Sequence, residues 1–214
     1  MSLHSFIRKP FHYEFRNCAL ILIGINFLVF IINHWMPVTV NFLALTPRWL
    51  LQYGMYWQVF TYQFVHDQFS LSHIISNMIG LFFFGVSVER RVGSKEFLLL
   101  YLLSGTLCGI LSLAIYLLTG TVDVHLMGAS GAIFAILLAY AVLYPDSVIY
   151  LWAIIPIPAP ILVLGYAAIE TFFLVTGANQ GVAHGTHLIG FAVAWVYFVV
   201  RFGINPVKVW FRRR

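Results

Sequence analysis

Ser130, within Gly128-Ala129-Ser130-Gly131, and His187, within His187-Leu188-Ile189-Gly190, are the residues of this chain best suited to chemistry. A serine hydroxyl attacks poorly until a base takes its proton, and imidazole is the usual base. Gly128 and Gly131 leave space beside the serine for a substrate backbone and for close helix contact. Ser130 also opens an apolar run, so as the first residue of a helix its N–H lacks an intrahelical partner and can face a developing oxyanion, helped by the helix dipole. His73 and Asn77 stand four residues apart, on one face of a helix, and both can donate to that oxyanion. The pattern is one of acyl transfer, with Ser130 as nucleophile and His187 as general base. Taken singly, each residue has a structural explanation: a serine in a membrane helix usually bonds a carbonyl one turn back, and Asn77 or His187 could join helices. The Gly-x-Ser-x-Gly pattern of soluble hydrolases is met only in part, since its last position is Ala132.

The elements that would position these groups are apolar. Of 214 residues, 61% are hydrophobic and 9% charged, and the mean hydropathy is +0.91. Soluble domains carry about 25% charged residues, so these few charges cannot coat a water-facing surface. The sequence predicts an all-α membrane protein, a six-transmembrane-helix bundle with a long interfacial first loop. The spans fall roughly at Cys18 to Met36, Ser72 to Val88, Phe97 to Leu118, Leu126 to Tyr144, Pro160 to Thr176 and Val182 to Phe202. Residues 1–17 form a cytoplasmic N-terminal segment, 18–202 the membrane domain with its first loop at 37–71, and 203–214 a basic cytoplasmic tail. The net charge of +5 does not indicate nucleic-acid binding, because the cations cluster at the ends of apolar runs. Eleven of the twelve Lys and Arg residues fall on one side of this topology, and only Arg48 on the other. That asymmetry predicts cytoplasmic termini in a plasma (inner) membrane. The first run, preceded by polar and basic sequence and lacking a small-x-small cleavage site, reads as a retained span. Cys18 and Cys108 lie at different depths, so no disulfide is expected. Ile155-Pro156-Ile157-Pro158-Ala159-Pro160 cannot be helix interior and reads as an extended lead into the fifth span.

With that topology, the second, fourth and sixth spans all begin at the outer face. His73, Asn77, Ser130 and His187 then lie within about 10 Å of the outer interface. Polar groups in a bilayer are costly, so their convergence at one depth points to a site. Glu170, the only acid within a span, could pair with His184 or His187 or face water; a Ser–His dyad is the simpler reading. A metal-dependent enzyme using His66, His73, His184 and His187 is an alternative, weakened by scarce carboxylates and the lack of His-Glu-x-x-His. A transporter would need polar groups through the whole depth and an internal repeat, and neither is seen.

These residues resemble the rhomboid family of intramembrane serine proteases, in its compact six-span bacterial form. His73-Ile-Ile-Ser-Asn77 resembles the family's H-x-x-x-N, Gly128-Ala-Ser130-Gly131 its G-x-S-G, His187-Leu-Ile-Gly190 its H-x-x-G, and Glu89-Arg-Arg91 its E-x-R. The resemblance implies cleavage of transmembrane protein substrates near the outer face of the lipid bilayer by a Ser130–His187 dyad. It implies an oxyanion hole of His73, Asn77 and the Ser130 N–H, supporting roles for Gly128, Gly131 and Gly190, no cofactor or metal, a membrane-embedded first loop and a mobile gate at the fifth span. It leaves the oligomeric state open. Relatives lacking the serine or histidine serve as inactive scaffolds, but both residues are present here. The family's first loop often carries Trp-Arg; here Trp57-Gln58 replaces it, which puts an anchoring charge in doubt.

Overall fold

The computed structural model describes residues 8–151, 154–178 and 181–211. Residues 1–7, residues 152–153 of the proline-containing connection, and Arg212, Arg213 and Arg214 of the basic tail lie outside the described residues. Among the described residues, five helices are long and apolar enough to cross a membrane: α1 (Cys18–Trp35), α5 (Leu71–Val92), α6 (Ser94–Thr119), α8 (Ala159–Thr176) and α9 (His184–Phe202). The fourth expected span is a shorter apolar helix, α7 (Ser130–Leu143). Between α1 and α5 the chain forms three short helices, α2 (Val38–Leu43), α3 (Pro47–Tyr53) and α4 (Gln58–Thr61), followed by a 3-10 turn at Tyr62–Phe64. A final short helix, α10 (Pro206–Trp210), carries Trp210, whose Nε1 donates to the Ala141 carbonyl of α7.

The chain is buried where helices meet and apolar where it faces outward. α1 exposes Ile21, Leu28 and Ile31, and α8 exposes Ile161, Phe172 and Val175. Such surfaces are stable only against lipid, and the helices satisfy their own backbone groups as lipid requires. α7 is the opposite case. Its residues from Gly131 to Val142 are buried almost throughout, so it forms the centre around which α5, α6, α8 and α9 pack.

α7 is short because its entry is extended. Leu126 pairs with Leu45 of the first loop through two backbone hydrogen bonds of 2.9 Å, and the Gly128 N–H donates to the Tyr62 carbonyl at 3.1 Å. Helix periodicity cannot distinguish Leu126–Ala129 from a first helical turn, because these residues are as apolar as the turn that follows. The first loop decides it by supplying partners to a non-helical backbone that would otherwise be unsatisfied.

The first loop itself is anchored by Gln58, which is fully buried. Its Nε2 donates to the Asn41 carbonyl at 2.9 Å, and its Oε1 accepts from the Thr46 N–H at 3.1 Å. The adjacent Trp57 Nε1 donates to the Phe42 carbonyl. A neutral amide therefore closes this loop without a charge. The proline-containing connection forms an antiparallel hairpin of β1 (Val148–Leu151) and β2 (Ile155–Pro158), with Pro156 facing Tyr150 and Pro158 facing Val148. With only two strands, each proline is tolerated because every strand is an edge.

The basic end of the bundle is tied by carboxylates. Glu89, fully buried, accepts from the Cys18 and Ala19 N–H groups at 2.7 and 2.9 Å and from Ser94 Oγ at 2.5 Å. It caps the start of α1 from a distant helix, meeting donors that the helix cannot satisfy itself. Glu96 holds Arg201 in a two-pronged pair at 2.9 and 2.8 Å and also accepts from Tyr197 Oη.

Candidate active site

Ser130 is the first residue of α7, and His187 lies one turn into α9. Two glycines set how near these helices come. A Cβ built on Gly190 would strike the Gly131 carbonyl oxygen, so the two backbones touch with no side chain between them. This contact sits one residue from Ser130 and three from His187. At that spacing the His187 Nε2 lies 2.8 Å from Ser130 Oγ, a hydrogen bond suited to proton transfer.

The imidazole is fixed on its other sides. Phe134, one turn beyond Ser130 on α7, stacks on His187 with centroids 4.2 Å apart and planes at 11°. Glu170 approaches from α8. Its Oε2 lies 2.5 Å from His184 Nδ1 and 3.1 Å from His187 Nδ1. The contact to His184 is an aligned hydrogen bond, whereas that to His187 has ion-pair distance without hydrogen-bond alignment. All three side chains are buried. The carboxylate that the dyad reading left aside thus stands beside His187. Its presence within a span was visible in sequence; its partners depend on how α8 packs on α9. Phe134 was missed, and its only signal was its position one helical turn after the serine.

Gly128 has φ +120°, a conformation that side chains rarely adopt, and a Cβ there would come within 2.8 Å of His73 Nε2 and 3.7 Å of Ser130 Oγ. The ring of His73 and the serine hydroxyl therefore flank the same small space. His73 Nδ1 accepts from the Asp67 N–H at 3.4 Å, which directs Nε2 as the nitrogen facing that space. Asn77 is buried, and its Nδ2 donates to the His73 carbonyl of its own helix at 2.7 Å. This bond uses one of its two N–H groups. A cavity of about 970 Å³ joins these groups; His73, Asn77, Ser130, Glu170 and His187 all line it. Three helix starts and the middle of α8 therefore meet at one cavity.

The four histidines of the metal alternative do not gather. His66 and His73 form one pair with centroids 5.2 Å apart. Among the described residues, the close group of potential ligands is Glu170, His184 and His187.

A family model described as the Rhomboid domain matches residues 53–204. The chain belongs to the rhomboid family. That match runs from the first loop through α9 and includes every residue just described around Ser130. Among curated relatives, RHOMBOID-like protein 12, mitochondrial, from Arabidopsis thaliana is 33% identical over 175 residues, covering 64% of this chain and 52% of that protein. Rhomboid protease GlpG from Enterobacter sp. (strain 638) is 29% identical over 200 residues, covering 87% of this chain and 65% of that protein. The chain thus matches about half to two thirds of the length of these relatives. It is a multi-pass, all-α rhomboid protein of an intramembrane protease family.

Proposed function

We propose that this rhomboid protein is an intramembrane serine endopeptidase that cleaves transmembrane protein substrates near the outer face of the bilayer. The observation that carries this reading is the 2.8 Å hydrogen bond between His187 Nε2 and Ser130 Oγ inside an apolar bundle. His187 takes the hydroxyl proton as Ser130 Oγ attacks the scissile carbonyl carbon. The oxyanion formed is stabilised by the Ser130 N–H and by His73 and Asn77. The protonated His187 then gives its proton to the leaving amine, and water entering the cavity hydrolyses the acyl-enzyme by the same route in reverse. Glu170, 3.1 Å from Nδ1, offsets the positive charge that His187 carries between these steps. The step requires no cofactor. Gly128, Gly131 and Gly190 are positioning residues, which set the approach of the helices and of substrate.

The same reading places both termini in the cytoplasm of a cell with this protein in its plasma (inner) membrane. Arg16, Arg90, Arg91, Lys95 and Arg201 gather at the end of the bundle opposite Ser130, which supports that orientation. The membrane domain extends over 18–202, between an N-terminal segment (1–17) and the basic tail (203–214).

Labelling with a fluorophosphonate probe in liposomes tests the assignment. Wild type should be labelled, and Ser130→Ala should not. His187→Ala should be labelled far more slowly while melting at a similar temperature. Equal labelling of wild type and Ser130→Ala would refute the nucleophile; a folded wild type inert to every serine-directed probe and transmembrane substrate would favour a non-proteolytic scaffold.

A further inference from the structure

Glu170, His184 and His187 offer more than support for the base. One potential ligand atom from each lies within 4.8 Å of the others, and all three residues are buried. They come from two facing helices. His184 and His187 are three residues apart on α9, hence on one face, and Glu170 reaches that face from α8. Two imidazoles and a carboxylate are a donor set suited to Zn²⁺. Bonds of about 2.0–2.2 Å in a tetrahedral shell hold donors roughly 3.3 Å apart. Admitting the ion widens the present 2.5 and 3.1 Å separations from Glu170 Oε2 and draws the two histidine nitrogens, which lie within 4.8 Å of each other, to the same spacing. Glu170 and His187 line the large cavity, and His184 lines a second one of about 270 Å³ behind it, so the group has a route for an ion and space for a fourth, water ligand.

We infer that Glu170, His184 and His187 form a Zn²⁺ site that shuts the enzyme off reversibly. The inhibitory consequence rests on the proposed role of His187, whereas the binding site does not. The chemistry follows from the two ring nitrogens. His187 Nε2 faces Ser130, so the ion takes Nδ1. With the Nδ1 lone pair on zinc, the single ring proton of a neutral imidazole resides on Nε2. Nε2 then donates to Ser130 instead of accepting, and the hydroxyl proton has nowhere to go. Zinc also takes the Glu170 oxygen that faces the base and joins α8 to α9 across the cavity.

The test uses tag-free full-length protein in liposomes. Binding is read from Co²⁺ as a zinc substitute, whose tetrahedral complexes with imidazole and carboxylate absorb in the visible. Ser130→Ala should give this spectrum with one Co²⁺ per chain, displaced by Zn²⁺, and the control His125→Ala should give it equally. His184→Ala and His184→Gln should each weaken binding by at least about tenfold, since loss of even an outer-shell partner costs 10- to 100-fold. In wild type, Zn²⁺ should block probe labelling and a chelator should restore it. In the His184 variants the half-inhibiting Zn²⁺ concentration should rise by the same factor, relative to each variant's own zinc-free rate. Absence of the Co²⁺ spectrum in both wild type and Ser130→Ala would overturn the site. A spectrum unchanged in both His184 variants would also overturn it. Metal binding without any loss of labelling would overturn the inhibitory role and leave the site. A protein that binds Co²⁺ yet is never labelled, with or without chelator, would instead refute the protease reading.

Discussion

Substituting Gly190 by alanine should separate catalysis from folding. A Cβ at this position would lie well inside the 3.0 Å limit that real Cβ atoms respect, against the Gly131 carbonyl oxygen, and 3.3 Å from Phe134 Cβ. The obstacle is backbone and cannot rotate away, so α7 and α9 must part by roughly 1 Å to regain ordinary contact. His187 lies on the same turn as Gly190 and Ser130 precedes Gly131, so that displacement acts on the 2.8 Å hydrogen bond between them. Stretched to nearly 4 Å, it ceases to be a hydrogen bond. A misplacement of about 1 Å at reacting groups costs on the order of 10²-fold in rate. Overpacking of this kind costs about 1–3 kcal/mol in stability, which a bundle of this size should survive. The expected outcome is a kcat reduced roughly 100-fold, with KM little changed and helicity by circular dichroism retained. Two companions set the scale. Gly131→Ala meets Cys108 at 3.1 Å and Thr186 at 3.2 Å, milder approaches than the backbone clash at position 190, and should lose less. Gly24→Ala on α1 meets nothing within 4 Å and should be active and slightly more stable, because alanine favours helix over glycine by about 1 kcal/mol. Initial rates on a fluorogenic transmembrane substrate and thermal melts of the three variants decide the matter. Near-normal kcat in Gly190→Ala, or equal losses at positions 24 and 190, would refute the claim that this backbone contact sets the catalytic distance.

Other outcomes follow from individual contacts. Asn77→Ala should lower kcat modestly, by at most roughly 10²- to 10³-fold, because one donor is lost while the Ser130 N–H and His73 remain; an unchanged single-turnover rate would remove Asn77 from the oxyanion site. Glu89→Gln should destabilise by about 3 kcal/mol, since a buried carboxylate serving the Cys18 and Ala19 N–H groups and Ser94 loses its charge and one acceptor; denaturant melts that match wild type would show that another group caps α1. His66 in the first loop is fully buried, and burial, followed by the nearby His73, holds its imidazole down to about 3. The folded state therefore refuses a proton that the unfolded state accepts below about 6.5. Stability from this residue is intact above that value and falls as the pH drops toward 3, by at most about 1.4 kcal/mol per pH unit. Melting temperatures at pH 7 and 5 should converge in His66→Phe relative to wild type; an identical drop in both would assign the acid sensitivity elsewhere.

The membrane character of the chain was settled by composition. A chain with 9% charged residues and helices apolar on their outward faces has no stable arrangement in water. The positions of α1, α5, α6, α8 and α9 were legible for the same reason, because long apolar runs bounded by charge or glycine can satisfy their backbones in lipid only as helices. The pairing of His73 with Asn77 on one face, and the glycines around Ser130, were also local properties of the sequence. Tertiary structure decided the rest. Whether Leu126–Ala129 is helical depended on Leu45 and Tyr62, partners from a loop more than sixty residues earlier. Gln58 became an anchor only because the carbonyls of the first loop turn toward it. The 2.8 Å between Ser130 and His187 follows from a backbone contact between Gly131 and Gly190, and the sequence could say that close packing was permitted but not which helices would use it. Glu170 shows the limit most directly. Its cost inside a span could be read from the sequence, but a buried carboxylate is explained by the partners it meets. Those partners, the ring nitrogens of His184 and His187, are brought to it by the packing of one helix against another.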